Sequence, residues 1–298
     1  MKFSLVVATH NRVEQLDRFL HSLLAQDDND FEVIIADQNS DDRLVDVVNT
    51  YQSHFPITHL KRVKLGTSHA RNQGSLLATG DIIAFPDDDC LYPLGFLTKV
   101  ADFFASDPTW DGLSVSIRAL EGDEDAFEYS VQESQKIDSR PIAARVGIGP
   151  GLIFRADLAK KIAFDEEMGP GARWVGGEDT DYLFRCLSSG AAIYYSYELF
   201  VRHPKPYETY TIRQLMRREF TYGRGLGYLM RKHDSVRSMV WQQLFVVPIK
   251  LTITYALAGD FRHALPCPGM GIGRILGYWE GMKYIKESKS HETQIYPD

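Results

Sequence analysis

Three consecutive carboxylates, Asp87-Asp88-Asp89, follow the apolar run Asp81–Phe85 (DIIAF). Like charges at contact distance raise one another's pKa unless a cation neutralises them. A hard divalent ion such as Mg²⁺ or Mn²⁺ prefers carboxylate and phosphate oxygens. The triplet therefore reads as a cation cage, with a solvated acidic turn as the plain alternative. Two more polar clusters end apolar runs: Thr9-His10-Asn11 and Asp37-Gln38-Asn39-Ser40-Asp41. A further acidic group, Glu178, Asp179 and Asp181, follows Gly176-Gly177, where acidic residues also suit a helix N-terminus. No Gly-x-Gly-x-x-Gly follows the first apolar run, and no Walker A sequence occurs. These absences argue against a dinucleotide oxidoreductase and a P-loop nucleotidase. Phosphates would be bound through metal, with help from side chains.

The elements that must position these residues alternate. Lys2–Thr9 is a Val-rich run suited to a parallel strand buried on both faces. Arg12–Ala25 sets Val13, Leu16, Phe19, Leu20, Leu23 and Leu24 at helical spacing. Phe31–Ala36 is a second buried strand, Asp41–Tyr51 a helix, and Ile57–Val63 a third strand. Ser68–Thr79 reads as a helix closed by Gly80, and Asp81–Phe85 as a fourth strand. This alternation predicts an open, mostly parallel sheet flanked by helices, with ligands outside the carboxyl ends of its strands. All three polar clusters then fall on one rim. Gly112–Leu120 and Val146–Arg155 read as strands, Glu121–Arg140 as a polar surface excursion, and Glu178–Leu187 as a helix.

From about Tyr210 the character changes. Thr211–His233 is a basic helix, and Leu244–Ala258 is strongly apolar but interrupted by Pro248 and Lys250. A spanning helix needs roughly 20 apolar residues, so interfacial contact or a buried helix is expected instead. The division expected is a catalytic domain over 1–208 and a helical region over 209–298.

The 298 residues suffice for one large α/β domain with a smaller appendage. An apolar fraction of 44% and a charged fraction of 24% are ordinary for a globular chain. The net charge of -7 does not suggest a nucleic-acid partner. Cys90, Cys186 and Cys267 are too scattered for a zinc site or a disulfide framework. The N-terminal apolar stretch is short for a secretory signal. A cytoplasmic location is expected, with peripheral contact at the inner face of the plasma membrane.

Four stretches resemble glycosyltransferase family 2, whose members have the GT-A (Rossmann-like) fold. They are VVATHNR, ADQNSDD, GTSHARNQGSLLATGDIIAFPDDDC and GGEDTDYLFR, in order over residues 1 to 205. The resemblance implies that Thr9 and His10 border the nucleotide base and that Asp37 hydrogen-bonds it. It implies that Arg71 contacts the nucleotide or its phosphates, with Asp87 and Asp88 on the donor side. Asp89, four residues before Pro93, is implied as the metal ligand, with His203 a further ligand for metal or pyrophosphate. Asp179 is implied as the catalytic base. Trp174 and Glu178 fall on the acceptor side, where Trp174 is either a sugar platform or a packing residue. The chain departs from the family at His10, where Tyr is frequent, and at Gln38 and Asn39, which replace Asp and Gly.

The implied activity is inverting transfer from a nucleoside-diphosphate sugar to a hydroxyl, with Mn²⁺ or Mg²⁺ as cofactor. The acceptor would be a glycan or lipid-linked glycan in bacterial polysaccharide, lipopolysaccharide or capsule synthesis. One alternative in the same family charges a polyprenyl phosphate with a single sugar and needs no general base. A nucleotidyltransferase would carry a Gly-rich, basic loop after the first strand, and Thr9–Glu14 is not one. A non-catalytic carbohydrate-binding protein is the remaining class.

Overall fold

The computed structural model describes residues 1–27, 30–127, 131–205, 210–234 and 240–295. The expected boundary at 208/209 and residues 128–130 of the polar excursion lie outside the described residues. The chain forms two compact units. The first comprises Met1–Glu166 and Asp179–Lys205, and the second comprises Glu167–Glu178 and Pro206–Asp298.

The first unit is built on one sheet. Its strands are β1 (Phe3–Thr9), β2 (Phe31–Asp37), β3 (Ile57–Leu60), β4 (Ile82–Ala84), β5 (Gly112–Ala119), β6 (Gln135–Ile137), β7 (Leu152–Arg155) and β8 (Ile193–His203). They lie in the order β3-β2-β1-β4-β7-β5-β8-β6. The first four pair in parallel, and β5 pairs in parallel with β8. Only β7 and β6 run against their neighbours, so the sheet is mostly parallel.

Helices cover both faces: α1 (Val13–Leu23), α2 (Val45–Tyr51), α3 (Thr67–Leu77), α4 (Phe96–Ser106), α5 (Arg140–Val146), α6 (Ala156–Lys161) and α7 (Glu178–Ser188). Successive residues of a strand face opposite ways. Leu5 and Val7 pack with Leu16, Phe19 and Leu20 of α1 and Val100 of α4. Val6 packs on the other side with Ile34, Phe85 and, from α7, Tyr182 and Leu183. Two buried faces explain why Leu5-Val6-Val7-Ala8 of β1 are apolar without alternation. Val146 ends a helix instead of starting a strand. Gly149-Pro150-Gly151 form a 3₁₀ turn, and β7 begins only at Leu152.

The second unit contains α8 (Ile212–Lys232), a π turn at Gln242–Val246, α9 (Val247–Leu257), α10 (Phe261–Ala264) and α11 (Pro266–Ile295). A capping box starts α8: the Thr211 hydroxyl accepts from the Gln214 N–H, and the Gln214 side chain accepts from the Thr211 N–H. Helices α8 and α11 meet backbone to backbone. A Cβ on Gly227 would lie 2.1 Å from the Arg274 carbonyl, and one on Gly277 would lie 2.0 Å from the Arg224 carbonyl. Small residues at four-residue spacing permit this approach. Trp174 is fully buried in this unit, its ring stacked on Tyr228 at 4.6 Å. Among the described residues no helix is long and apolar enough to cross a membrane.

Candidate functional site

The register of the sheet assembles the rim. Thr9 at the end of β1 pairs with Asp37 at the end of β2, and Ala8 bridges Asp87 just past β4. The chain then turns back, with the Cys90 N–H donating to the Asp87 carbonyl. Leu91 and Arg202 exchange two backbone hydrogen bonds, of 2.8 and 2.9 Å, which fasten this loop to the end of β8. The acidic triplet is thereby brought to His203.

Ligand atoms of Asp87, Asp89 and His203 lie within 4.8 Å of one another. His203 Nε2 is 3.2 Å from Asp89 Oδ1 and 3.8 Å from Asp87 Oδ2. On the other side of the ring, Nδ1 lies 2.7 Å from the Pro204 carbonyl, to which it donates. That bond assigns the proton of the neutral ring to Nδ1 and leaves the Nε2 lone pair facing the carboxylates, the arrangement of a metal-ligating histidine. Asp89 Oδ1 is buried and makes no hydrogen bond of good geometry. Two carboxylates and an oriented imidazole are a donor set that fits a divalent cation.

Arg12 supplies the balancing charge within the protein. Its Nη1 donates to Asp88 Oδ1 at 2.9 Å and to Asp89 Oδ2 at 2.5 Å. Burial pushes the Asp88 carboxyl up to about 7, although Arg12 opposes it. Burial likewise raises Asp87, with Arg71 opposing. Burial works against charged Asp89 too, but His203 and Arg12 outweigh it and hold the carboxyl below its usual range. His203 is raised by Asp89 despite its burial. In the sequence Arg12 stands only at the start of an expected helix. Its signal was a cation at the carboxyl end of β1, beside the strand that ends in three carboxylates.

Arg71 reaches the rim from α3. The side chain is 2% exposed, with its guanidinium carbon 5.2 Å from the centre of the Phe164 ring. Nη1 donates to Asp179 Oδ1 at 2.7 Å, and Nη2 donates to Asp87 Oδ1 at 3.0 Å. One guanidinium thus joins the acidic triplet to the first turn of α7. Gly149 makes room for the junction: a Cβ there would sit 2.7 Å from Arg71 Nη2 and 2.9 Å from Asp179 Oδ2. Asp181 is fully buried and accepts from Arg185 Nε at 2.8 Å, so it braces its own helix.

Asp37 is 1% exposed. Its Oδ1 accepts from the Asn39 backbone N–H at 2.8 Å and from Asn39 Nδ2 at 2.7 Å, while Oδ2 pairs with His59 Nε2 at 2.9 Å. Burial would raise this carboxyl, but His59 and Asn39 outweigh it and hold it low. Asn39 Oδ1 in turn accepts the Asn11 N–H at 2.8 Å, where Asn11 takes φ 60°. The observed task of Asp37 is to bind these loops together, and His59 is a partner the sequence did not reveal. Thr9 is buried, and His10 is exposed beside Asn11. Trp174 and Glu178 lie in the second unit. The Trp174 indole is fully buried against Tyr228.

The family model for glycosyl transferase family 2 matches residues 4–163, just over half of the chain. The chain belongs to glycosyl transferase family 2. This family 2 chain is 25% identical over 172 residues to an uncharacterised glycosyltransferase of Nostoc sp., covering 54% of this chain and 53% of that one. It is 28% identical over 177 residues to the poly(ribitol-phosphate) beta-N-acetylglucosaminyltransferase TarS of Staphylococcus aureus, covering 56% of this chain and 30% of TarS. It therefore spans about half the length, or less, of these curated relatives. The crystal structure of TarS 1–349 matches 97% of this chain and 92% of its own at TM-score 0.59 and 21% identity. TarS 1–349 is also solved with UDP and with UDP-GlcNAc. The mannosyltransferase PcManGT of Pyrobaculum calidifontis, solved with GDP-Man and Mn²⁺, matches 99% of this chain and 81% of its own at TM-score 0.60 and 16% identity. These likenesses establish the GT-A fold of this family 2 chain.

Proposed function

We propose that this chain transfers a sugar, with inversion, from a nucleoside-diphosphate sugar to an acceptor hydroxyl. The observation that carries the reading is Arg71, which holds Asp179 and the Asp87, Asp89 and His203 cluster on one rim. One group of side chains is suited to a cation and the other to a proton, as a single displacement at an anomeric carbon requires.

Asp87, Asp89 and His203 would hold the divalent ion. When bound, Mn²⁺ or Mg²⁺ supplies Lewis-acid stabilisation of negative charge on a leaving diphosphate. Asp179 accepts the proton of the attacking hydroxyl as the new bond from that oxygen to the anomeric carbon forms. The bond to the diphosphate oxygen breaks in the same displacement, and its electron pair leaves with the diphosphate. Arg71 orients Asp179 and counters the charge of Asp87. Thr9, His10, Asp37 and Asp88 belong to the donor side, with Asp37 acting through the loop it braces. Glu178, one position before the base, belongs to the acceptor side. TarS is solved with UDP-GlcNAc and PcManGT with GDP-Man, and these complexes support a nucleotide-sugar donor. The acceptor on this reading is a growing glycan or a lipid-linked glycan.

The test is to incubate the full chain with UDP-, GDP- and dTDP-sugars, with and without Mn²⁺ or Mg²⁺, and to measure nucleoside diphosphate release. Slow metal-dependent hydrolysis of one donor, lost in Asp89→Ala, is the expected result and names the donor. No release and no metal-dependent nucleotide binding across the panel would overturn the proposal in favour of a carbohydrate-binding protein. Transfer that survives Asp179→Asn unchanged would point to a phosphate acceptor, which needs no base.

A further inference from the structure

The second unit carries a concentrated exposed apolar surface. Trp241, Phe245, Ile249, Ile253 and Leu257 recur at every fourth position through the π turn and α9, between 36 and 84% exposed. Such spacing puts them along one helix face. From Trp241 to Gly259 the only charged residue is Lys250. Helix α9 packs on α11, leaving a groove of about 350 Å³ floored by Leu244, Pro248 and Ile272. A second, shallower groove of about 470 Å³ runs from Trp241 to Thr254. Soluble proteins rarely leave so continuous an apolar face in water, and such faces mark interaction sites.

The charge distribution points to the occupant. Residues 206–298 contain 13 Lys and Arg against 8 Asp and Glu, a net of +5 within a chain of net -7. We propose that this face docks on the surface of an anionic lipid bilayer, with α9 lying in the plane of the interface. Helix α9 is apolar around most of its circumference, and binding at an interface scales with the apolar area buried plus the attraction of cations to anionic lipid. Among the described residues no helix is long and apolar enough to cross a bilayer, so the face would lie along the surface. Trp241 and Trp279, both more than half exposed, are of the type enriched at the headgroup level. A second copy of the chain is the less favoured occupant, because a two-fold interface would set this positively charged region against itself.

The proposal does not depend on sugar transfer, and its test uses no donor. Purified full chain is sedimented with phosphatidylcholine vesicles, with and without phosphatidylglycerol, and Trp fluorescence is recorded. We expect partition onto the anionic vesicles with a blue shift in emission, weakened by salt. The double variant Ile249→Glu/Ile253→Glu should lower partition about tenfold or more while its circular dichroism is unchanged. Lys250→Glu should weaken binding to anionic vesicles only. No partition of the native chain onto either vesicle overturns the proposal. So does partition that both variants leave intact. A dimer in solution that the double variant converts to monomer, without vesicle binding, also overturns it and makes the face an interface between copies. Donor hydrolysis in a chain that ignores vesicles would remove this proposal and leave the catalytic one standing.

Discussion

Arg71 and Asp179 stand 108 positions apart in the chain, and their side chains meet at 2.7 Å. The same guanidinium, almost wholly buried, also binds Asp87. Asp179→Asn should lower the rate of transfer by about 10² to 10⁴, while affinity for nucleoside diphosphate, measured by calorimetry, stays near that of the native chain. Arg71→Met should lower kcat by about 10² through misplacement of the base. An Asp179→Asn variant of full activity would remove Asp179 from the mechanism.

Removal of metal provides a separate check. Dialysis against a chelator should abolish donor hydrolysis, and Mn²⁺ should restore it. His203→Ala and Asp89→Ala should weaken Mn²⁺ binding, followed by electron paramagnetic resonance, by about tenfold or more. That loss is the scale expected when a ligand or its oriented environment is removed. Unchanged Mn²⁺ affinity in both variants would place the ion elsewhere.

The Asp37 network gives a pH dependence of known sign. Its carboxyl is held below the ordinary value of 3.8 in the folded state. Its contribution is therefore fully present above about pH 4 and is lost as pH falls through the lower folded value. Thermal melts from pH 6 down to pH 3 should show a shallower acid loss in Asp37→Asn than in the native chain. His59→Ala should cost about 1–3 kcal/mol near neutral pH, because it leaves a buried carboxylate oxygen without its partner. Parallel acid profiles for the native chain and Asp37→Asn would contradict this account.

Glycines at the crossing of α8 and α11 should tolerate no side chain. Gly227→Ala and Gly277→Ala each place a methyl about 2 Å from a carbonyl oxygen of the facing helix. Overpacking of this kind costs about 1–3 kcal/mol or more. Limited proteolysis should find the region after 210 cleaved faster in these variants.

Trp174→Ala distinguishes packing from sugar contact. Loss of a buried indole stacked on Tyr228 should cost about 3–5 kcal/mol of stability. Trp174→Phe should recover most of that loss and leave the acceptor KM unchanged. A raised KM in the Phe variant, at native stability, would return Trp174 to the acceptor side.

Much of the site was legible because β-strand ends are legible. The apolar runs that end at Thr9, Asp37 and Asp87 fix a rim, since side-by-side parallel strands deliver their carboxyl ends to one edge. The acidic triplet and Asp179 could be singled out by residue type and by resemblance to family 2. Local pattern failed where two elements distant in sequence share one contact. Val146 resembles a strand start in the sequence because an apolar residue near Gly and Pro carries no sign of which face it will bury, yet it ends a helix. His59 and Arg12 were overlooked for the same reason, as each acts only through a carboxylate on another strand.

Periodicity and turn chemistry in the sequence alone determined the alternating α/β order, the mostly parallel sheet and the acidic rim. The length of Leu244–Ala258 and its interruption by Pro248 and Lys250 gave the expectation of interfacial contact or a buried helix. The tertiary structure decided which side chains meet. It paired Arg71 with Asp179, placed Arg12 among the carboxylates, aimed His203 Nε2 at Asp89, and withdrew Trp174 into a core. The physical reason is range. Helix and strand periods are set by neighbours within a few residues, whereas hydrogen bonds and ion pairs at 3 Å depend on how remote elements pack.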